Sequence, residues 1–253
     1  LEQLSAPSDP YSEIQAYALS NTWDHVELKG GNYTEGQNEI GEKVIILGEL
    51  ACAEPEYLER MGEQLWEKHI DALWHFGRGL ARGGSAPDKT FEFLVGLVET
   101  SSLEQVDPTL LRGFIHEVHD RDANQARLLQ ERILDVPKLK DHFVYLLSSA
   151  PIAPWGAKKL IDLAKAGELE AWCYSQISYG RIHETISDDD LSELLSALIE
   201  IDGGLAAVFQ ILEMRFLIDR DSDYIPSEVL LSVGRKAIIK MTAMDKDEIR
   251  QYL

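Results

Sequence analysis

"ISDDDLSELLSALIEI", Ile186 to Ile201, decides the fold. Three consecutive aspartates close behind His183 and Glu184 invite a reading as a metal or acid/base site. Each aspartate also has a place at the start of a helix. With Ser187 at the N-cap, Asp188, Asp189 and Asp190 fill the first turn, where carboxylates meet the positive end of the helix dipole. Asp190 stands three residues after the cap and can form a box-like pair with Ser187, where Glu or Gln is the usual partner. Ile186 before the cap and Leu191 at the fourth helical position form a hydrophobic staple. Leu194, Leu195, Leu198 and Ile199 then continue an apolar stripe at helical spacing. The stretch predicts a helix whose aspartates are structural. His183 and Glu184, in the preceding turn, remain candidates for chemistry.

The same opening recurs elsewhere: an aliphatic residue, a small or capping residue or Pro, then apolar positions at helical spacing. It is found in "VDPTLLRGFIHEV" from Val106, "IAPWGAKKLIDLA" from Ile152 and "IPSEVLLSVGRKAII" from Ile225. Irregular intervals of this kind, between about 34 and 46 residues, suit two-helix repeats of the HEAT type and not a strict repeat. Between the starts lie predicted partner helices: "ANQARLLQERIL", "KLKDHFVYLLSS", "ELEAWCYSQISYG" and "GLAAVFQILEMRFL". Punctuation such as "SSAPIAP" and "DGG" separates them. No stretch alternates apolar and polar residues with β-branched enrichment, so the chain reads as all-α.

The first third is less regular. "DPYSEIQAYALSNTW" predicts a helix capped by Asp9 with Pro10 in its first turn. "LKGGNYTEGQNEIG", from Leu28, reads as a Gly-rich loop, and "EKVIILGELACA" as a short buried helix, although "VIIL" alone also fits a strand. "PEYLERMGEQLWEKHIDALWHFGRGLARGG" reads as one long helix or two short ones. Its stripe runs Leu58, Met61, Leu65, His69, Leu73, Phe76, Leu80, which predicts His69 as a core histidine. "GGSAPD", Gly83 to Asp88, is the expected internal boundary, dividing an irregular segment 1–84 from HEAT-like repeats over 85–253.

Three clusters resemble chemistry and fail in detail. "HEVHD", His116 to Asp120, differs from the zinc-protease pattern HExxH because His119 follows at i+3, with no third ligand at a known spacing. Both histidines are expected at a helix end, near its terminal carbonyls. In "DRDSDYIPSEVL", Asp219, Asp221 and Asp223 match the first positions of a calcium loop. Tyr224 then replaces the required Gly, and Leu230 the bidentate Glu. "GRGLARGG", Gly77 to Gly84, lacks the Lys of a phosphate loop and falls at a helix end, which predicts close helix packing. No catalytic, cofactor-binding or metal residue is assigned, and no cofactor is expected.

Composition narrows the function classes. Formal net charge is −20. Residues 1–60 carry net −9, 61–120 net −5, 121–180 net +1 and 181–253 net −7. The least acidic quarter is only neutral, so phosphate backbones are repelled and no nucleic-acid binding is expected. There is no apolar run of membrane-spanning length and no secretory signal in "LEQLSAPSDP". Cys52 and Cys173 leave a single disulfide open, but their apolar settings favour buried thiols and a cytoplasmic protein. The absence of an initiator Met and the ending "DEIRQYL" suggest a piece of a longer chain.

From Pro154 to Arg220 ("PWGAKKLIDLAKAGELEAW…GRIHETISDDDLSELLSAL…GLAAVFQILEMRF") the text resembles helical-repeat regions of large prokaryotic multidomain proteins. In these, HEAT-like arrays are joined to nucleotide-hydrolysing or effector domains, including some antiphage defence proteins. The resemblance implies an irregular α-solenoid that recognises or scaffolds a protein, with catalysis elsewhere. A basic or neutral partner surface follows from the charge. The alternative is an all-α hydrolase, metal-dependent or general acid/base, using His116, His119, His183 and Glu184.

Overall fold

A computed structural model describes residues 9–20, 33–217 and 225–244. Among these residues every regular element is helical. Contacts divide the chain into two compact units, Leu1–Lys140 and Asp141–Leu253. The Gly83–Asp88 punctuation lies inside the first unit.

That first unit contains α1 (Pro10–Ala18), α2 (Tyr33–Ala53), α3 (Glu56–Met61), a 3-10 turn Gly62–Leu65, α4 (Asp71–Gly83), α5 (Pro87–Thr100), α6 (Thr109–Arg121), α7 (Ala123–Ile133) and α8 (Pro137–Lys140). Asp9 caps α1 as predicted, accepting from the Ser12 amide at 3.1 Å. Asp122 caps α7 through the amides of Asn124 and Gln125.

Helices α2, α4 and α6 lie side by side and run in the same direction. Gly41 faces His75, Gly48 faces Gly79, and Gly83 faces Glu49. On the other flank Gly113 faces Trp74, Glu117 meets Arg78, and Arg121 reaches the Ala81 carbonyl at 2.7 Å. Helix α5 packs on the 3-10 turn and on α7, supplying the return layer. Phe76, Leu80, Phe91 and Phe114 are buried in the core, Phe91 and Phe114 with ring centroids 6.2 Å apart.

The spacing within the α2–α4–α6 layer depends on glycine. A Cβ on Gly79 would lie 2.0 Å from the Ile45 carbonyl oxygen, and one on Gly113 would lie 1.9 Å from the Trp74 oxygen. Gly77 and Gly48 are as tightly opposed, by the backbone of α6 and α4 respectively. Removing the side chain lets helix backbones approach closely and set carbonyl oxygens against Cα hydrogens. Each helical glycine costs about 1 kcal/mol of propensity relative to alanine. Closer packing offsets it. The "GRGLARGG" stretch is thus a packing device.

The second unit contains α9 (Phe143–Leu147), α10 (Pro154–Ala166), α11 (Ala171–Tyr174), a 3-10 segment Ser175–Thr185, α12 (Asp188–Ile199), α13 (Gly204–Leu217) and α14 (Glu228–Thr242). Here α10, α12 and α14 share one direction: Lys165 pairs with Glu193, and Lys240 donates to the Ile199 carbonyl. Helix α13 returns beside α12 and covers the 3-10 segment. At α12 the cap is as read from the sequence. Ser187 Oγ accepts from the Asp190 amide at 3.2 Å and donates to Asp190 Oδ2 at 2.7 Å, and Ile186 and Leu191 are both buried.

Several expectations are corrected. Residues 33–41, read as loop, form the first turns of α2, because Gly41 makes room for the His75 ring. The segment after Pro55 takes the second of its two expected forms, two helices, with the 3-10 turn between them. Gly62, with φ of +53°, turns the chain out of α3, and the Trp66 carbonyl accepts from the Asp107 amide at 2.8 Å. That break removes His69 from the apolar stripe. Its side chain is 59% exposed and lies between Thr109, Asp71 and Asp107. "KLKDHFVYLLSS" divides between α8 and α9. "ELEAWCYSQISYG" keeps one α-helical turn, Ala171–Tyr174, and continues as 3-10 helix, with Ser178 Oγ donating to the Ser175 carbonyl. Tyr179, Gly180 and Arg181 then leave helical geometry, the last two at left-handed φ of 64° and 62°. Asp219, Asp221, Asp223 and Tyr224 lie outside the described residues. Leu230 is buried. Both cysteines are free thiols, and burial pushes the Cys173 thiol up to about 12.

The glycine contacts predict opposite signs for one substitution. Gly79→Ala and Gly113→Ala should each destabilise by about 1–3 kcal/mol or more, the range for overpacking. On α5 an added Cβ at Gly96 meets nothing within 4 Å. Gly96→Ala should therefore stabilise, by up to about 1 kcal/mol. Urea denaturation of the three variants distinguishes these outcomes.

Candidate functional site

Trp74, Arg78 and Arg82 recur every four residues and so form one stripe along α4. Beside it on α6 stands Glu117, whose side chain is 9% exposed. Arg78 Nε donates to Glu117 Oε2 at 3.0 Å, and Arg82 Nε donates to Oε1 at 2.8 Å. One carboxylate thus holds two guanidiniums a helical turn apart. The Arg78 guanidinium also lies 4.9 Å over the Trp74 ring centroid, in cation–π range. Trp74 further meets His75 edge-on at 4.9 Å and His116 at 5.4 Å. Arg121 closes the far end by donating to the Ala81 carbonyl near the C-terminus of α4.

The electrostatics follow from burial and pairing. Burial alone would raise the Glu117 carboxyl. Donation and charge from Arg82 and Arg78 outweigh it and hold the group below the ordinary carboxylate value. Arg82 is held higher than usual, chiefly by its bond to Glu117. His75 is pushed down, first by burial and then by the positive charge of Arg78. Glu42 on α2 stands 4.0 Å from Arg82 Nη1, too far for a hydrogen bond, with its side chain 66% exposed. An open groove of 580 Å³ runs along α1 and α2, lined by Glu13, Asn38, Lys43 and Ile46 among others.

The four sequence candidates divide between the two units. His116 and His119 lie on α6, with ring nitrogens 3.6 Å and 3.8 Å from the Asp120 carboxylate. His183 and Glu184 lie in the 3-10 segment of the second unit. His183 is buried, and its carbonyl accepts from Arg215 Nη1 at 2.9 Å. Arg215 Nη2 also donates to Asp188 at 2.8 Å, so α13 braces the start of α12. Glu184 accepts from Arg181 Nε at 2.7 Å, which holds its carboxyl below the usual value. Among the described residues no three His, Cys, Asp or Glu side chains are grouped to hold a metal ion, and no helix is long and apolar enough to cross a membrane.

Comparison with protein-family models, curated proteins and solved structures finds no match to this chain.

No local sequence pattern marks the Arg78–Glu117–Arg82 triad. Arg78 and Arg82 stood inside a glycine pattern, and Glu117 inside the histidine pair. The available signal was the four-residue spacing of Trp74, Arg78 and Arg82. Their partner, 39 residues from Arg78, needs the helix register to be known.

Glu117 gives a prediction with a defined sign. Its folded-state pKa is depressed, so its contribution is fully present above the unfolded value of about 4.3. That contribution disappears as pH falls through the folded value. Glu117→Gln should cost about 2 kcal/mol at pH 7, by removing the charge that two part-buried guanidiniums share. The wild-type advantage should narrow steadily below pH 4. Urea denaturation of both proteins at pH 7 and pH 3 measures it; a constant difference contradicts the pairing.

Proposed function

We propose that this chain is an irregular HEAT-like helical-repeat module, an α-solenoid, that recognises a protein partner and performs no chemistry of its own. One observation carries the reading. Among the described residues, tertiary hydrogen bonds in both units recur between residues 27 to 41 positions apart. Examples are Arg78 with Glu117, Arg132 with Glu92, Lys138 with Ser101, Ile152 with Thr185, and Lys240 with Glu200. Hydrogen bonding concentrated between neighbouring helical pairs is what a quasi-one-dimensional stack would show, and such a stack leaves long surfaces for partners; α1 reaches somewhat further, through Tyr11 beneath Arg60. Trp and Arg, the side chains concentrated on α4, are also the ones that dominate protein interfaces.

In this proposal the α2–α4–α6 layer is the recognition surface, and the partner's overall surface is basic or neutral, given the net charge of −20. Nucleic acid is not a partner. The larger protein is of the prokaryotic multidomain kind that the resemblance implies, cytoplasmic, with antiphage defence among its settings and catalysis in other domains. The hydrolase alternative would draw on His116 and His119 of the first unit and on His183 and Glu184 of the second.

The test is expression of residues 1–253 in the native host, with co-purification and a hydrolase screen run in parallel. A stoichiometric protein partner is expected. Ile46→Glu should abolish its retention without lowering the melting temperature, because Ile46 on α2 is 62% exposed. Absence of a partner, or turnover lost in His116→Ala or His183→Ala, would overturn the proposal.

A further inference from the structure

A guanidinium carries five N–H donors. Arg78 and Arg82 each spend one, the Nε–H, on Glu117. Neither guanidinium donates another hydrogen bond to a described residue, and that of Arg78 also lies over the Trp74 face. Their side chains are 18% and 32% exposed, so the terminal amino groups reach solvent while the stems are fixed. Glu117 neutralises only one of the two guanidinium charges, and the remaining charge faces the exposed Glu42 without a hydrogen bond to it.

We infer that Arg78 and Arg82 form a preorganised oxyanion site whose occupant is a carboxylate side chain of a protein partner. Glu117 and Trp74 hold the two forks in place, so little side-chain freedom is lost when a carboxylate bridges them. Two such forks match the bidentate geometry that arginine offers to carboxylates. A partner carboxylate is favoured over a free phosphate because the surroundings are acidic. Glu42 and Glu49 both add negative potential at Arg82. They would repel a dianion, while basic residues flanking a single carboxylate would complement them. The occupant is therefore an acidic residue set among basic ones, consistent with a partner whose overall surface is not acidic. This rests on the recognition reading for its partner, but the site itself can be examined without one.

The experiment follows the arginine Nε–Hε resonances of the intact chain by NMR during titration with acetate, with inorganic phosphate, and with a short lysine-flanked glutamate peptide and its glutamine counterpart. The glutamate peptide should shift the Arg78 and Arg82 signals saturably, with affinity on the order of millimolar for so few contacts. Acetate should act at the same signals more weakly, and the glutamine peptide should not. Arg82→Lys should weaken the glutamate peptide by about tenfold, the effect of losing one charge-assisted bond. Glu42→Gln, an exposed change that leaves the triad intact, should tighten it; a purely structural triad would show no gain. Absence of saturable shifts with carboxylates, equal shifts with the glutamine peptide, or binding of phosphate alone would overturn the inference. Carboxylate binding without a co-purifying partner would leave the site standing and remove the recognition reading. A partner without carboxylate binding would do the reverse.

Discussion

The close approach of α4 to both neighbours is the constraint on which the first unit depends. Glycine at 48, 79, 77 and 113 lets the backbones of α2, α4 and α6 meet where a methyl group would collide with a carbonyl oxygen. Packing at that distance has two consequences. It fixes the axial register of three parallel helices, because each glycine must face one particular carbonyl. It also brings side chains at the edge of the contact within hydrogen-bond reach across helices, so that Glu117 can be shared by Arg78 and Arg82.

A buried ion pair is a poor source of net stability, since desolvation can consume the attraction. The triad is better understood as a positional device. Its carboxylate accepts one Nε–H from each arginine, and its charge compensates part of theirs. The indole of Trp74 supports Arg78 from beneath. Such an arrangement holds two long, rotamer-rich side chains in one geometry with their outer donors directed to water. The second unit uses arginine differently. There Arg215 turns inward and ties the His183 carbonyl to Asp188, which secures a 3-10 segment that lacks regular helical bonding.

Helix starts were legible in the sequence because caps and staples are local. The hydroxyl–carboxylate pair of Ser187 and Asp190, the Asp9 cap and the Pro154 start of α10 all stand where residue chemistry over four or five positions puts them. The interruptions were less legible. His69 lay on an apolar stripe that the φ of +53° at Gly62 breaks, and the helix expected through Tyr179 is cut by two left-handed residues, one of them Arg181. Gly36 and Gly41 read as loop signals although α2 runs through them, because the room that Gly41 gives to His75 is a tertiary fact. The arginine triad was hidden for the same reason. Its members lie on different helices, and only the glycine-set register places them together.

Native-state amide hydrogen exchange tests the dependence on α4 most directly. If the glycine contacts organise the first unit, the central amides of α4, from Phe76 to Leu80, should exchange only through unfolding of the whole unit. They should then share the largest protection free energy with their counterparts in α2 and α6. If those α4 amides exchange through local opening, markedly faster than the amides of α5 and α7, the close contacts do not hold the unit together and the account is wrong.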